Sequence, residues 1–279
     1  MGTQVCRLLA DAGHTVRAFD LPQANFAHLD ELPGVSAQRG DLTIPDDARD
    51  AVRNTDILVH LAAVLPPQAE SNRKITFAVN VDGTQNLVDA LHDRAANTSL
   101  VFASSVVVYG ATDAVLDPID HTQPLCPKTI YAESKAAAET VVRESGTQWT
   151  IARISGVAVS AVLEPPKPWP FTRTQRMEFV LADDVADAIA RLAQVEEPDG
   201  KTVHISGGST WRITGGQYAT DYLNALGLPE DITSYLTTSQ AFGWYKPSAA
   251  LQDLGFKPTS YETYLEKVQA AVTAFMDEA

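Results

Sequence analysis

Tyr131 and Lys135 stand four residues apart in the run Ile130-Tyr131-Ala132-Glu133-Ser134-Lys135. On a helix, residues at i and i+4 share one face. A free tyrosine titrates near ~10, so at neutral pH it is a poor acid or base. A nearby ammonium stabilises the phenolate. Lowering the phenol by about three units corresponds to roughly 4 kcal/mol of differential stabilisation. Such a phenolate can remove a hydroxyl proton. The pairing alone is weak, because most Tyr-x-x-x-Lys instances are surface pairs. Ser105 discriminates: it closes the apolar run Val101-Phe102-Ala103-Ser104-Ser105, 26 residues before Tyr131. A hydroxyl at a strand end can hydrogen-bond a reacting oxygen. Ser105, Tyr131 and Lys135 are therefore the catalytic candidates.

A second set has the spacing of a dinucleotide site. Thr3–Ala12 reads as an amphipathic helix, and Val16–Phe19 as a strand closed by Asp20. A glycine at such a helix start lets backbone approach a pyrophosphate, and an acidic residue about 20 positions on takes the ribose hydroxyls. Gly2 and Asp20 are 18 apart. The plain alternative is an ordinary glycine beside an initiator methionine. Asp41 and Leu42 follow the next strand, where a carboxylate can accept from an adenine amino group. Leu61, Ala62 and Ala63 follow another, where small residues admit a cofactor. Asn80 lies in the helix beyond.

The elements that must position these residues alternate between strand and helix through the first 155 positions. Strands are expected at 15–19, 35–38, 56–61, 100–103 and 150–154. Helices are expected at 46–53, 69–93 and 129–145. This alternation predicts an α/β fold, a doubly wound parallel sheet with helices on both faces. Four of the sixteen prolines fall in 163–174, which reads as a loop. A helix at 182–195, a strand at 202–205 and helices at 215–225 and 260–276 complete the pattern. The expected division is a Rossmann-like domain over 1–158 with 178–206 returning to it. A smaller α/β lobe for substrate comprises 159–177 and 207–279.

Composition narrows the partners. The chain has 279 residues, 45% hydrophobic and 20% charged, with 21 basic and 35 acidic side chains for a net charge of −14. This argues against a broad nucleic-acid or anionic-membrane surface. No stretch approaches the ~18 apolar residues of a membrane span. Two cysteines, Cys6 and Cys126, give neither a disulfide framework nor a zinc-ligand spacing, so no metal is expected and a reducing cytoplasm fits. No signal peptide is visible.

In order along the chain, the stretches 1–20, 40–42, 60–63, 80–86, 101–110, 131–135, Phe179–Ala186 (FVLADDVA) and Leu254–Pro258 (LGFKP) resemble the extended short-chain dehydrogenase/reductases of the NAD-dependent epimerase/dehydratase family. The resemblance implies NAD in a Rossmann-like domain and a small-molecule substrate under the C-terminal lobe. It implies Tyr131 as acid–base, Lys135 on the nicotinamide ribose and Ser105 orienting the substrate. Gly2, Asp20, Asp41, Leu42, Leu61, Ala62, Ala63, Asn80, Tyr131, Lys135 and Ile154 would face the cofactor. Homodimerisation through two helices of the Rossmann domain is common in the family, and the helices at 69–93 and 129–145 are the candidates here. The reaction implied is oxidation, reduction or epimerisation of a sugar, nucleotide sugar or related hydroxylated compound. Its alternative is a nucleotide-binding member without catalysis, or a truncated inactive fragment.

Three departures qualify the resemblance. The family's leading strand and first two glycines would precede Met1, and their loss would leave neighbouring strand edges unpaired. Val106 and Val107 stand where the family's dehydratases carry acidic residues, which argues against dehydration. The stretch after Val159 is short for a nucleotide sugar. Asp20 is followed by Leu21-Pro22, with no base to meet a 2′-phosphate, which favours NAD over NADP. Arg173 and Arg176, in the proline-rich loop, could clamp a phosphate or carboxylate of substrate. Trp169 and Phe171 either line the pocket or pin the loop. His60 reads as a packed core residue, Asp183 and Asp184 as helix-start acids, and Cys126 as a loop residue at the site rim.

Overall fold

A computed structural model describes all residues except 30, 93–97, 113–114, 116–117, 197–199, 230–232 and 279. The chain opens with α1 (Gly2–Asp11), β1 (Val16–Asp20), β2 (Val35–Arg39), α2 (Pro45–Ala51) and β3 (Ile57–His60). Next come α3 (Gln68–Ser71), α4 (Arg73–Phe77), a π-helical turn (Ala78–Asp82) and α5 (Gly83–His92). β4 (Ser99–Ser105), a 3₁₀ turn (Val106–Tyr109), α6 (Ile130–Arg143) and β5 (Gln148–Ile154) follow. Short strands β6 (Val157–Ala158), β7 (Arg176–Met177) and β8 (Val180–Leu181) lead to α7 (Ala182–Ala193) and β9 (Lys201–Ile205). The remainder is β10 (Ile213–Thr214), α8 (Gly215–Ala225), α9 (Ala249–Asp253) and α10 (Tyr261–Glu278).

β3, β4, β5 and β9 form a parallel sheet in the order β3-β4-β5-β9. β1 and β2 form a separate parallel pair, so β1 and β3 share no ladder. Six of the seven β4 residues are buried, as a strand covered on both faces requires. Alternate side chains divide between the two faces. Val101, Ala103, Ala152 and Ile154 pack against α1 and α7 through Val5, Leu9, Val185 and Ile189. Leu100, Phe102 and Ile151 pack against α5 and α6 through Val88, Ala138 and Val142. Helices thus cover both faces of a doubly wound Rossmann-like sheet.

The helix expected over 69–93 is broken. Asn72 takes an extended backbone (φ −149, ψ 94) and accepts from Ile75 N, which ends α3 and caps α4. The end of that expected helix, residue 93, lies outside the described residues. A separate aromatic core gathers Trp169, Phe171, Trp211, Tyr218, Tyr222, Tyr261 and Tyr264. Trp169 and Phe171 therefore pin the proline-rich loop. Leu251 and Phe256 join the α1–α7 core instead.

A buried ion pair locks α6 to the sheet. Arg153 Nη2 and Nε meet Glu139 Oε2 and Oε1 at 2.7 and 2.9 Å, and Ser104 Oγ donates to Oε1 at 2.6 Å. Arg143 reaches the same carboxylate at 3.1 Å from a more exposed position. Removing one partner of such a pair strands a buried charge, whereas an exposed arginine contributes little. Glu139→Ala should therefore cost about 3–5 kcal/mol, and Arg143→Ala about 1 or less. Denaturant midpoints of the two variants against wild type check the contrast.

Candidate active site

Tyr131 and Lys135 occupy successive turns of α6, and Lys135 lies on the side packed against β4. Lys135 is 2% exposed. Its Nζ lies 4.5 Å from the centroid of the Phe102 ring, three residues before Ser105 on β4. Cation–ring attraction offsets part of the desolvation cost. Burial brings the ammonium down to about 7, against a smaller upward influence of Glu139 one turn on. Burial pushes the Tyr131 phenol up to about 12. In the protein alone, then, both shifts oppose proton transfer through tyrosine, and added positive potential is what the phenol requires. Ser105 ends β4 half-buried and accepts from Val107 N at 3.4 Å, starting the 3₁₀ turn. Val106 is buried and Val107 half-buried beyond it.

Behind these residues lies a neutral core. His60 Nε2 bonds Thr84 Oγ1 at 3.0 Å, and its ring packs on Phe102 at 5.4 Å. Burial, then the Lys135 charge, hold it down at about 3. Thr84 Oγ1 donates to Asn80 O at 2.7 Å within the π-helical turn. Asn80 is buried, with Oδ1 accepting from Val64 N at 2.7 Å and Nδ2 donating to Val64 O at 3.2 Å and Ser134 Oγ at 2.9 Å. Its amide is thus engaged within the protein, and it shapes the segment after β3 through Val64.

The remaining expected cofactor residues fall along one end of the strands. Asp20 ends β1 exposed, one carboxylate oxygen accepting from Leu21 N at 2.7 Å. Asp41 Oδ1 accepts from Thr43 N and Oγ1 at 2.9 and 2.8 Å. Leu42 is buried, and its carbonyl accepts from Asn86 Nδ2 at 2.8 Å. Leu61 and Ala63 are half-buried and Ala62 exposed. Ile154 is buried at the end of β5. Gly2 opens α1 with no side-chain cap.

Arg173 and Arg176 separate. Arg176 lines a cavity of about 220 Å³ with Gln175, Phe242 and Trp244, stacks on Trp244 at 4.7 Å and donates to Val115 O at 3.2 Å. Arg173 lines an open groove with Thr214, Gly216 and Gln217. They do not form one clamp, and neither cavity is lined by Ser105, Tyr131 or Lys135.

Three features escape a sequence reading. Ser155 Oγ, just past Ile154, is buried without a hydrogen-bond partner. Arg39 stands across from Asp20 in the parallel register. Its guanidinium donates to Pro22 O, donates to Ala24 O at 3.0 Å, and stacks on Phe26. The Glu139–Arg153 pair continues through Arg153 Nη1 to Tyr109 OH at 2.7 Å, and from there to His204 Nε2 at 2.5 Å. A charge on the face of α6 that also carries Ala138 and Val142 is the only sequence signal for it. Asp184 does play a structural part, its carboxylate accepting from Thr259 N and Oγ1 at 2.7 and 2.9 Å. Cys126 is exposed in its loop.

The sequence matches the NAD dependent epimerase/dehydratase family over residues 1–163, and the chain belongs to that family. A 3-beta-hydroxysteroid dehydrogenase of Mycolicibacterium neoaurum is 33% identical over 157 residues, covering 53% of this chain and 41% of that protein. The chain thus spans about two fifths of that curated relative. Among solved structures, a double mutant of the dTDP-glucose 4,6-dehydratase DesIV from Streptomyces venezuelae, with NAD bound, superposes with a TM-score of 0.80 at 22% identity. It covers 97% of this chain and 92% of its own. WbmH of Bordetella bronchiseptica, in complex with NAD+, gives 0.78 at 22% identity, covering 99% and 95%. Among the described residues no helix is long and apolar enough to cross a membrane, and no His/Cys/Asp/Glu group could hold a metal.

His60 and His204 make stability depend on acid. Burial holds them at about 3 and about 4, below the ordinary 6.5. As pH falls below 6.5 the unfolded chain takes protons that the folded chain refuses, so folding loses stability. Unfolding midpoints should drop as pH is lowered from 6.5 toward 4. Replacing His60 by Gln should flatten that slope; an unchanged slope would show that His60 is not buried neutral.

Proposed function

We propose that this protein is an NAD-dependent oxidoreductase or epimerase acting on a secondary hydroxyl of a sugar, nucleotide sugar or related hydroxylated compound. One observation carries the reading: a lysine 2% exposed, held against β4 one helical turn from Tyr131, with Ser105 at the end of that strand. Burying an ammonium is costly, and a chain that needed only a packed helix would have an apolar residue there.

The residues present fit the cofactor. Asp20 has an exposed carboxylate at the strand end for the ribose hydroxyls. Ala62 and Ala63 leave the end of β3 open, and the unpartnered Ser155 hydroxyl suits a polar group at the end of β5. The start of α1 at Gly2 offers backbone amides to a pyrophosphate. When bound, NAD supplies a hydride acceptor at the nicotinamide C4 and a positive charge on its oxidised ring.

Lys135 contributes positive potential that stabilises the Tyr131 phenolate. Tyr131 takes the hydroxyl proton of the substrate, and Ser105 Oγ donates a hydrogen bond to the same oxygen. If the ketone is retained and turned, hydride would return to the opposite face of its carbon while Tyr131 gives the proton back to its oxygen, which is epimerisation; releasing the ketone would give net oxidation. The same three residues serve both. Val106 and Val107 offer no carboxylate for elimination, so our reading leaves dehydration out although the S. venezuelae neighbour is a dehydratase. Arg176, beside its cavity, is the stronger of the two arginines as a substrate contact.

Tyr131→Phe should abolish turnover across an alcohol and sugar panel while NAD affinity, measured by calorimetric titration, stays within a few-fold of wild type. Near-wild-type turnover would sink the reading. Asp20→Ala should weaken NAD about tenfold or more, the loss of a hydrogen bond to a charged group. It should also narrow the preference for NAD over NADP, because the carboxylate that repels a 2′-phosphate is gone.

A further inference from the structure

The first amides of a helix have no partner within it. In α6, Thr129 answers one of them locally, its Oγ1 accepting from Ala132 N at 3.2 Å. The two amides before it are answered from elsewhere. Glu70 Oε2 accepts from Ile130 N at 2.9 Å, and Glu70 Oε1 from Tyr131 N at 3.1 Å. Glu70 sits on α3, just beyond the segment Leu61–Val64 that ends β3. The carbonyl of Tyr131 is held from the same side. Ser134 Oγ donates to it at 2.8 Å and itself accepts from Asn80 Nδ2 at 2.9 Å. Both backbone polar groups of Tyr131 are therefore fastened to the connection between β3 and α5.

We propose that Glu70 is a positioning residue for Tyr131: its carboxylate, seated across the Ile130 and Tyr131 amides, fixes the phenol relative to the segment following β3 and sets a negative charge at the start of α6. The proposal rests on the reading of Tyr131 as the proton-transfer residue. A cap needed only for helix stability could come from the adjoining loop, as Thr129 shows. A carboxylate 60 residues away in sequence ties two parts of the site together. The charged groups around this turn are Glu70 from α3, Arg73 from α4, which pairs with Glu133 of α6, and Lys135 on the next turn. Glu70 is exposed, so its replacement opens no cavity. Its charge opposes formation of the neighbouring phenolate, and the amides it covers would otherwise favour it.

The test reads the phenol directly and needs no substrate. The full chain is made with fluorotyrosine at its 8 tyrosines, and the ¹⁹F resonance of Tyr131 is assigned by its loss in Tyr131→Phe. In Glu70→Gln, which keeps one of the two acceptor oxygens for the Tyr131 amide and removes the charge, the resonance should stay nearer its wild-type position than in Glu70→Ala and titrate lower by about half a unit. In Glu70→Ala it should also move toward the position of free fluorotyrosine, with the other tyrosine resonances unmoved. If both variants leave the Tyr131 resonance and its titration unchanged, Glu70 is a helix cap alone and the proposal is overturned. Should Glu70→Ala not fold, Glu70→Gln alone decides by its titration. Failure of the functional reading would show instead as turnover by Tyr131→Phe, and would leave these resonances as they are.

Discussion

The face of α6 turned to the sheet carries two charges one turn apart, Lys135 and Glu139, 2% and 1% exposed. Burying either alone would be costly. Each finds its main partners on the strand pair β4 and β5. Glu139 finds the guanidinium of Arg153 on β5 and the hydroxyl of Ser104 on β4. Lys135 finds the ring of Phe102 and the field of Glu139. An apolar helix could slide along the sheet by a few ångströms at modest cost. This helix cannot, because any shift would strand a buried charge. The register of α6 against β4 is thereby fixed, and with it the placement of Tyr131 relative to Ser105.

The same constraint reaches outward in two directions. Toward β9 and the chain beyond it, Arg153 passes from Glu139 to Tyr109, then His204, whose other ring nitrogen lies 3.4 Å from Lys246 O. Toward β3, Phe102 carries His60 against it, then Thr84 and the π-helical turn at Asn80. A π turn widens the helix and frees carbonyls from their usual partners. Here Thr84 takes up the Asn80 carbonyl, while the Asn80 side chain turns to brace Val64 and Ser134. Strands, α6 and the segment after β3 are thus joined into one frame by hydrogen bonds and ring contacts.

What the sequence discloses of this frame follows from range. Period-2 and period-3.6 patterns are local, and they locate β4, β5, α6 and α8 to within a few residues. The i, i+4 spacing of Tyr131 and Lys135 is local too. The break at Asn72 is not legible, because an asparagine either caps a helix or sits on its surface, and only its backbone angles decide. Asn80 is a similar case: its amide is consumed by partners 16 and 54 residues away. Arg39 faces Asp20 only through the parallel register of β1 and β2, and Glu70 reaches α6 across 60 residues. Arg173 and Arg176 look like one clamp by proximity in the chain, yet β7 and its surroundings turn them into different cavities.

The two anchors of the proposed cofactor site stand on different supports. Tyr131, Lys135 and Ser155 belong to the frame built on the β3-β4-β5-β9 sheet. Asp20 belongs to the β1–β2 pair, which has no ladder to β3. Val16 of β1 is joined to Ile57 and Val59 of β3 through the apolar core beneath α1, where Val5 and Leu9 meet Val185 and Ile189 of α7. Apolar packing is non-directional, whereas a ladder fixes register residue by residue. The distance from Asp20 to the catalytic end therefore depends on how α1 seats on α7, and the geometry around Tyr131 does not. A change in that packing would move Asp20 and leave Tyr131 and Lys135 in place. On the proposed function, the boundary between the β1–β2 pair and the β3-β4-β5-β9 sheet is therefore also the boundary between cofactor binding and proton transfer.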